Sequence, residues 1–193
     1  MKRQAAWDLL NKMMQNKNLI RHGLAVEAIM KSLCKYLKEK HPELPAEEFN
    51  EEEWGIVGLL HDADYELIGK DLEKHTLVTA EKLRELGVSE RIIEGVRAHH
   101  WGVKPTRDNI MERAVFCADD MSGLITACAL VKDKKLANVT VESVMKKIPQ
   151  KSFAAGAKRE QILASPEELD IPTEQFVTIA LKAMQDISED IGL

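Results

Sequence analysis

The residues of this chain with the greatest capacity for chemistry are its histidines, five of which form an ordered series with two aspartates. In chain order the series is His22, His61-Asp62, His75, His99-His100 and Asp119. Imidazole and carboxylate groups together are the ligands of one or two divalent first-row metal ions. The sixth histidine, His41, belongs to a Lys-Glu-Lys-His-Pro-Glu stretch that is typical of an exposed turn. The pattern therefore predicts a metal site.

Helices must position these residues, because apolar side chains recur at helical spacing through most of the chain. Residues 22–39 repeat them along one helix face, at Ala25, Ile29, Leu33 and Tyr36. Further helices are expected over residues 73–86, 108–131 and 173–190. We find no strand pattern and no internal repeat, so the predicted fold class is all-α.

Three polar residues are predicted to begin helices. Asn50, with Glu53 three residues later, is expected as the N-cap of the helix that reaches His61. Ser89 is expected to cap the helix that carries His99. A third cap is expected at Ser165, which stands before Pro166.

Helix geometry explains how distant residues can form one site, since side chains on different helices of a bundle converge in its core. His61 and Asp62 point about 100° apart if both are helical, so both serve one centre best at a helix end. Asp119 lies on an apolar helix face, where a carboxylate is costly unless it is paired or bound to metal. These residues are therefore expected to share one centre.

The ordered series resembles the motif of the HD superfamily of metal-dependent phosphohydrolases, named for the adjacent pair seen here in Leu59-Leu60-His61-Asp62. The resemblance covers roughly residues 20–131 and extends to the run 113–119, which is similar to the closing helix of that family. It implies an HD-domain helical bundle as a metal-binding core over 20–131. An N-terminal helix over 1–19 would precede it, and a C-terminal helical extension over 132–193 would follow it.

The predicted ligands fall into two sets. One ion with open water positions needs only His22, His61, Asp62 and Asp119. A second ion could be held by His75, His99 and His100, with Asp62 as the bridge. In relatives with this longer histidine set, the resemblance implies a two-metal centre whose bridged water is the nucleophile. We therefore expect one or two divalent ions as cofactors (Fe, Mn, Mg, Ni, Co or Zn), with His61 and Asp62 as the catalytic residues.

The expected substrate is a small phosphate ester, such as a nucleotide, which metal-activated water would hydrolyse. Phosphate binding needs cations, and the predicted ones are Lys104, Arg107 and Lys70. Signalling phosphodiesterases of the superfamily carry a tight His-Asp-x-Gly-Lys run. Here Gly69-Lys70 follows His61-Asp62 several residues late, which argues against cleavage of cyclic dinucleotides.

Two other functions compete with this hypothesis. The ligand pattern also resembles the di-iron oxygenases built on the same fold, such as myo-inositol oxygenase. The second alternative is a non-catalytic regulatory module with a structural metal. Structural zinc sites, however, are usually closed by four ligands and rich in thiolate, unlike this set.

Composition sets limits on partners and compartment. The chain has 193 residues and a net charge of −5, which does not favour binding to duplex nucleic acid. The longest apolar stretch, from Gly123 to Val131, is about half of what a bilayer crossing requires. No apolar run or cleavage site follows the early Lys2-Arg3 pair, so we expect a cytoplasmic protein without a membrane partner. The oligomeric state is left open.

Overall fold

The computed structural model describes residues 1–69, 71–100 and 102–193, and these residues contain helices but no strand. The α-helices are α1 (Arg3–Met13), α2 (Lys17–Lys40), α3 (Glu51–Leu60), α4 (Leu77–Glu85), α5 (Glu90–Ala98), α6 (Ile110–Leu130), α7 (Val141–Met145), α8 (Arg159–Leu163), α9 (Ser165–Leu169), α10 (Thr173–Asp186) and α11 (Ser188–Ile191). Short 3-10 helices lie at Ala46–Phe49 and Leu136–Asn138. The predicted all-α fold is confirmed. In the described part of the chain, no helix combines the length and apolar character that a membrane crossing needs.

Helix α2 lies at the centre of the fold, where it packs against α3, α6 and α10. Helix α5 packs against both α3 and α6. The shared core includes the fully buried side chains of Ile29, Leu33, Trp54 and Phe176. Each large apolar side chain buried in this way stabilises the fold by roughly 1.5–3 kcal/mol. The four helices α2, α3, α5 and α6 are thereby fixed relative to one another.

Helices α2 and α3 cross with their backbones in contact. A Cβ atom added to Gly58 would lie 2.8 Å from the carbonyl oxygen of Val26, and one added to Gly23 would lie 2.9 Å from that of Leu59. Atoms that close would overlap, so any larger residue at either position would force the helices apart. This close crossing determines how near His22 on α2 comes to His61 at the end of α3.

The observed helix starts agree only in part with the predicted caps. The side chain of Asn50 accepts hydrogen bonds from the backbone N–H groups of Glu52 and Glu53, as a cap should. Ser89 makes no capping hydrogen bond, and Ser165 is the first residue inside α9 rather than its cap. Ser89 therefore occupies the predicted N-cap position without the capping hydrogen bond, whereas the prediction for Ser165 was wrong by one residue, because Ala164 is the N-cap of α9.

The predicted helix face over residues 22–39 lies within α2, which begins at Lys17, where the Asn16 side chain accepts from the N–H of Asn18 at 2.9 Å. Two predicted helix spans were wrong at their ends. Helix α4 begins at Leu77 rather than residue 73, because Thr76 is left-handed, with a φ of +70°. The span 173–190 is divided between α10 and α11 at Ile187. Helix α6 agrees with its predicted span to within two residues.

A single buried arginine organises the segment 148–157. The guanidinium of Arg159 donates hydrogen bonds to five backbone carbonyl oxygens, those of Ile148, Gln150, Phe153, Ala154 and Ala157. Irregular backbone needs such partners, since an unpaired buried carbonyl costs free energy. The segment is therefore tied to the start of α8 by one side chain.

Candidate metal centre

Three helices bring the first group of donor atoms together. His22 comes from α2, His61 from the end of α3 and Asp119 from the middle of α6. The Nε2 atom of His22 lies 3.0 Å from Nε2 of His61 and 3.0 Å from Oδ1 of Asp119. The Nε2 atom of His61 lies 3.6 Å from the same oxygen. These donor atoms face a common point.

A second group lies beside the first and comes from the turn before α4 and the end of α5. The Nε2 atoms of His75 and His99 are 2.9 Å apart. Both rings are almost completely buried. With Asp62 they form a second set of three donors that could hold one ion.

Asp62 belongs to both groups and gives one carboxylate oxygen to each. Its Oδ2 atom lies 3.6 Å from Nε2 of His22 and 3.6 Å from Nε2 of His61. Its Oδ1 atom lies 3.0 Å from Nε2 of His75 and 3.3 Å from Nε2 of His99. This is the arrangement expected of a carboxylate that bridges two ions.

The Nδ1 atoms of two rings face backbone carbonyls. In His61 this atom lies 2.7 Å from the carbonyl oxygen of Gly58, and in His99 it lies 2.7 Å from that of Val96. A carbonyl only accepts hydrogen bonds, so Nδ1 of each ring must carry the proton. In the neutral ring the lone pair is then on Nε2, the atom that faces the centre.

Side chains orient the other two rings. The Nδ1–H of His75 donates to Oδ1 of Asp64 at 2.9 Å, and Nδ1 of His22 is hydrogen-bonded to the hydroxyl of Ser122 at 2.9 Å. Hydrogen bonds of this kind fix the ring orientation and tautomer of a metal-ligating histidine. All four imidazoles are thus held with Nε2 toward the two groups.

The donor set fits divalent metal ions. With Nδ1 protonated, neutral His75 and His99 direct two lone pairs at each other across 2.9 Å, which is repulsive unless a proton or a cation lies between them. Two ligands at a right angle around an ion about 2.0–2.2 Å from each would be roughly 3 Å apart. The measured separations agree with that geometry.

The electrostatics of the site favour positive charge at its centre. Burial opposes a charge on the His61 ring, yet the carboxylates of Asp62 and Asp119 raise its pKa to about 9. Burial opposes a charge on His75 as well, but the hydrogen bond with Asp62 helps raise its pKa to about 9. Burial also disfavours the Asp119 carboxylate, but the close His22 ring and the positive charge of the nearby His61 ring hold its pKa well below the ordinary value. Burial lowers the pKa of His99, but the carboxylates of Asp62 and Asp119 favour positive charge beside His61 and His75.

The family model for the HD domain matches residues 19–124, which is more than half of the chain. The chain belongs to the HD domain family. Members of this family bind divalent metal ions and are generally hydrolases. No curated protein and no solved structure matched the chain.

Six of the seven predicted ligands of this HD domain lie in or beside the two donor groups, and His100 is the exception. Its ring centroid is 5.0 Å from that of His75, but none of its nitrogens belongs to either group. Burial and the neighbouring His75 lower the pKa of His100 to about 4. Its Nδ1 atom is buried without a hydrogen-bond partner in the described part of the chain. The ring therefore lies behind the second group rather than in it.

Sequence reasoning missed the role of Asp64 in this HD domain. Besides His75, its carboxylate accepts hydrogen bonds from the backbone N–H groups of Thr76 and Thr79, at 3.1 and 3.0 Å. Burial opposes the negative charge, but these bonds and that from His75 lower the pKa of Asp64. Asp64 therefore has two roles: it orients the His75 ring, and it accepts hydrogen bonds from the backbone at the start of α4. Its only signal in the sequence is an acidic residue two positions after Asp62.

The predicted phosphate-binding cations have other partners. The Nζ atom of Lys104 lies 2.5 Å from Glu112 and 3.2 Å from Asp108. The guanidinium of Arg107 pairs with Glu168 and lies over the ring of Phe116, 4.0 Å from its centroid. Because Lys104 and Arg107 already form ion pairs with carboxylates, we do not assign phosphate binding to either residue. The third predicted cation, Lys70, lies outside the described residues.

Two cavities meet beside His22 and Gly123. The smaller, of about 330 Å³, is lined by Asp119, Asp120, Ala154, Gly156 and Ala157. The larger, of about 520 Å³, lies between α2, α6 and α11. Burial and the charge of Asp119 raise the pKa of Asp120 to about 7, and Asp120 also accepts from the N–H of Lys158. The first donor group is therefore open to small molecules at His22 and Asp119.

Proposed function

We propose that this HD domain is a metal-dependent hydrolase of small phosphate esters. One observation supports this function above all: Asp62 gives a separate carboxylate oxygen to each of two donor groups. A shared carboxylate between two sets of imidazoles is typical of centres that hold two ions a few ångströms apart. Such centres bind both the attacking and the leaving oxygen of a phosphoryl group.

The metal would be held by His22, His61, Asp62 and Asp119 in one group and by Asp62, His75 and His99 in the other. Bound there, divalent ions supply an acidified water and a positive charge for the phosphoryl oxygens. The role of His61 and Asp62 would be to present the Nε2 atom and the two carboxylate oxygens in fixed positions. Those positions are set by the close crossing of α2 and α3 and by the Nδ1 hydrogen bonds.

Access to the donor groups agrees with a phosphoryl substrate. The smaller cavity is lined by Asp119 and by the small residues Ala154, Gly156 and Ala157. Small side chains leave room for a phosphoryl group and water beside the ligands. In the reaction, water adds to phosphorus, the phosphorus–oxygen ester bond breaks, and the leaving oxygen takes a proton from the water.

The experiment that tests this function begins with elemental analysis of the purified protein. Protein loaded with Mn²⁺ or Fe²⁺ is then assayed for release of inorganic phosphate from a panel of phosphomonoesters, diesters and nucleotides. We expect turnover that is abolished in the His61→Ala/Asp62→Ala double variant and retained in His41→Ala, because His41 lies away from both groups, beside Glu43. Turnover equal in all three proteins would point to a contaminant. Uptake of dioxygen by the iron form without phosphate release would favour the oxygenase alternative.

A further inference from the structure

The larger cavity beside His22 has a composition that the proposed hydrolysis does not by itself require. Its polar lining includes Asn18 and Arg21 of α2, Thr126 of α6 and Lys134. Its apolar lining includes Ala25, Leu130 and Ile191. At about 520 Å³ it falls within the range of roughly 300–1,000 Å³ that small-molecule sites occupy, and it far exceeds the size of a phosphate ion.

The charged side chains that line this cavity are positive, although the whole chain has a net negative charge. The protein has 32 acidic residues and a net charge of −5, yet no aspartate or glutamate lines the cavity. Two cations, Arg21 and Lys134, do line it. Within the described ranges neither forms an ion pair with a carboxylate side chain, whereas Lys104 and Arg107 are both paired. Leu193, whose terminal carboxylate is negative, lines the cavity too, so two cations stand against one carboxylate. This excess of positive charge favours a negatively charged ligand.

The backbone at the rim of the cavity is held in an unusual conformation. Asp133 and Lys134 are consecutive residues without a glycine, and both have a φ of +57°. Left-handed backbone costs free energy for such residues, and it is often retained where it serves a site. Here it occurs at the residue that brings a positive charge to the cavity.

We propose that this cavity binds the organic part of the substrate and that this part carries a second anionic group, recognised by Arg21 and Lys134. This rests on the proposed function, since it assumes that the first anionic group is the phosphoryl group at the metal centre. His22 and Gly123 line both cavities. A phosphate ester whose phosphoryl group lies at Asp119 therefore extends past these two residues into the larger cavity. The substrate class is a phosphate monoester with a carboxylate or a further phosphate on an organic group of moderate size.

Two matched pairs of small molecules test this inference. The metal-loaded protein is titrated with phenylphosphonate and with 4-carboxyphenylphosphonate, which cannot be hydrolysed and differ by one carboxylate. In parallel, hydrolysis of phenyl phosphate and 4-carboxyphenyl phosphate is compared as kcat/KM. We expect the carboxylated member of each pair to be preferred by about 10-fold, because a hydrogen bond to a charged group contributes that much.

The variants are chosen to remove one charge without disturbing the fold. Arg21→Gln and Lys134→Gln, singly and together, remove cations from exposed positions in the cavity lining. Lys17→Gln and Lys135→Gln are the matched controls, since each removes an exposed cation close in the chain but outside the lining. We expect the preference to vanish in the double variant and to persist in both controls. Thermal unfolding of each variant shows whether it is folded.

The outcomes distinguish the inference about the larger cavity from the proposed hydrolysis. A preference in both pairs that only the cavity variants lose supports the inference. Equal binding of the two phosphonates by the unaltered protein, or a preference that persists in the double variant, overturns it, even if phosphate esters are hydrolysed. A preference in phosphonate binding without hydrolysis of either ester supports the inference and contradicts the proposed function.

Discussion

Gly58 packs directly against the carbonyl oxygen of Val26, so that no atom larger than hydrogen fits between α3 and α2 at this point. The contact is one helical turn from His61 on α3 and one turn from His22 on α2. The 3.0 Å separation of the two Nε2 atoms therefore depends on it. A residue without ligand atoms thus sets the geometry of the first donor group.

Gly58→Ala is expected to destabilise the protein and to weaken metal binding together. The added methyl group would lie 2.8 Å from a backbone oxygen, and overpacking of this kind costs roughly 1–3 kcal/mol of unfolding free energy. Urea unfolding with elemental analysis of the same samples measures both effects. Gly123→Ala is the control, because a Cβ there meets no atom within 4 Å and alanine favours a helix. Equal unfolding free energies for the two variants would contradict the prediction.

Replacement of the bridging carboxylate should affect both donor groups at once. Asp62→Asn removes the negative charge that both groups share, so we expect metal content to fall toward zero and kcat/KM to fall by at least about 100-fold. His75→Ala removes a ligand of the second group only, so it should retain about half of the bound metal. Elemental analysis distinguishes the two patterns. Full metal content in Asp62→Asn would argue against a bridging role.

Asp64→Asn tests whether a residue that binds no metal positions one that does. The amide cannot accept all three hydrogen bonds that the carboxylate receives, so the His75 ring loses its fixed orientation. Loss of such a partner typically lowers metal affinity by about 10–100-fold. The measurement is competition with a metal chelator. Asp71→Asn, an exposed aspartate that pairs with Lys74, should bind metal as the unaltered protein does.

The buried carboxylate of Glu27 should give the protein an acid-sensitive component of stability. Burial opposes its charge, but hydrogen bonds from Arg3 and Lys31 lower its pKa below the ordinary value of 4.5. A lowered carboxylate pKa contributes stability that is present above the unfolded pKa and is lost as the pH falls through the folded one. Glu27→Gln should therefore be less stable by about 2 kcal/mol at pH 7. The difference should shrink as the pH falls below 4.5, the ordinary pKa of the carboxyl group.

Chemical unfolding of both proteins across this pH range checks the prediction. Glu142→Gln is a suitable control, since Glu142 forms an exposed pair with Lys146 and exposed pairs contribute little. If the Glu27→Gln difference were equally large at pH 3 and pH 7, a cause other than the charge of the carboxylate would be responsible.

The sequence predicted the fold class because helical periodicity is a local signal, and it predicted the grouping of the histidines, apart from His100, because their order resembles the motif of a known family. It could not predict the partners of Lys104 and Arg107, which depend on Glu112 and Glu168. The sequence could not predict the start of α4 either. Thr76 has a left-handed backbone there, and its N–H donates to the carboxylate of Asp64, which lies twelve residues earlier. The cavity lined by Arg21 and Lys134 joins residues more than one hundred positions apart. Contacts of that kind follow from packing rather than from local pattern.

Arg159 holds part of a cavity lining that could vary between related proteins without a change of the proposed metal ligands. It fixes Ala154 and Ala157, two walls of the smaller cavity, and it lies beyond the region 19–124 in which every proposed metal ligand is found. Lys134 and Ile191, which help to line the larger cavity, also lie beyond that region. Replacements in the last third of the chain would thus reshape the two cavities while all the proposed metal ligands stay the same.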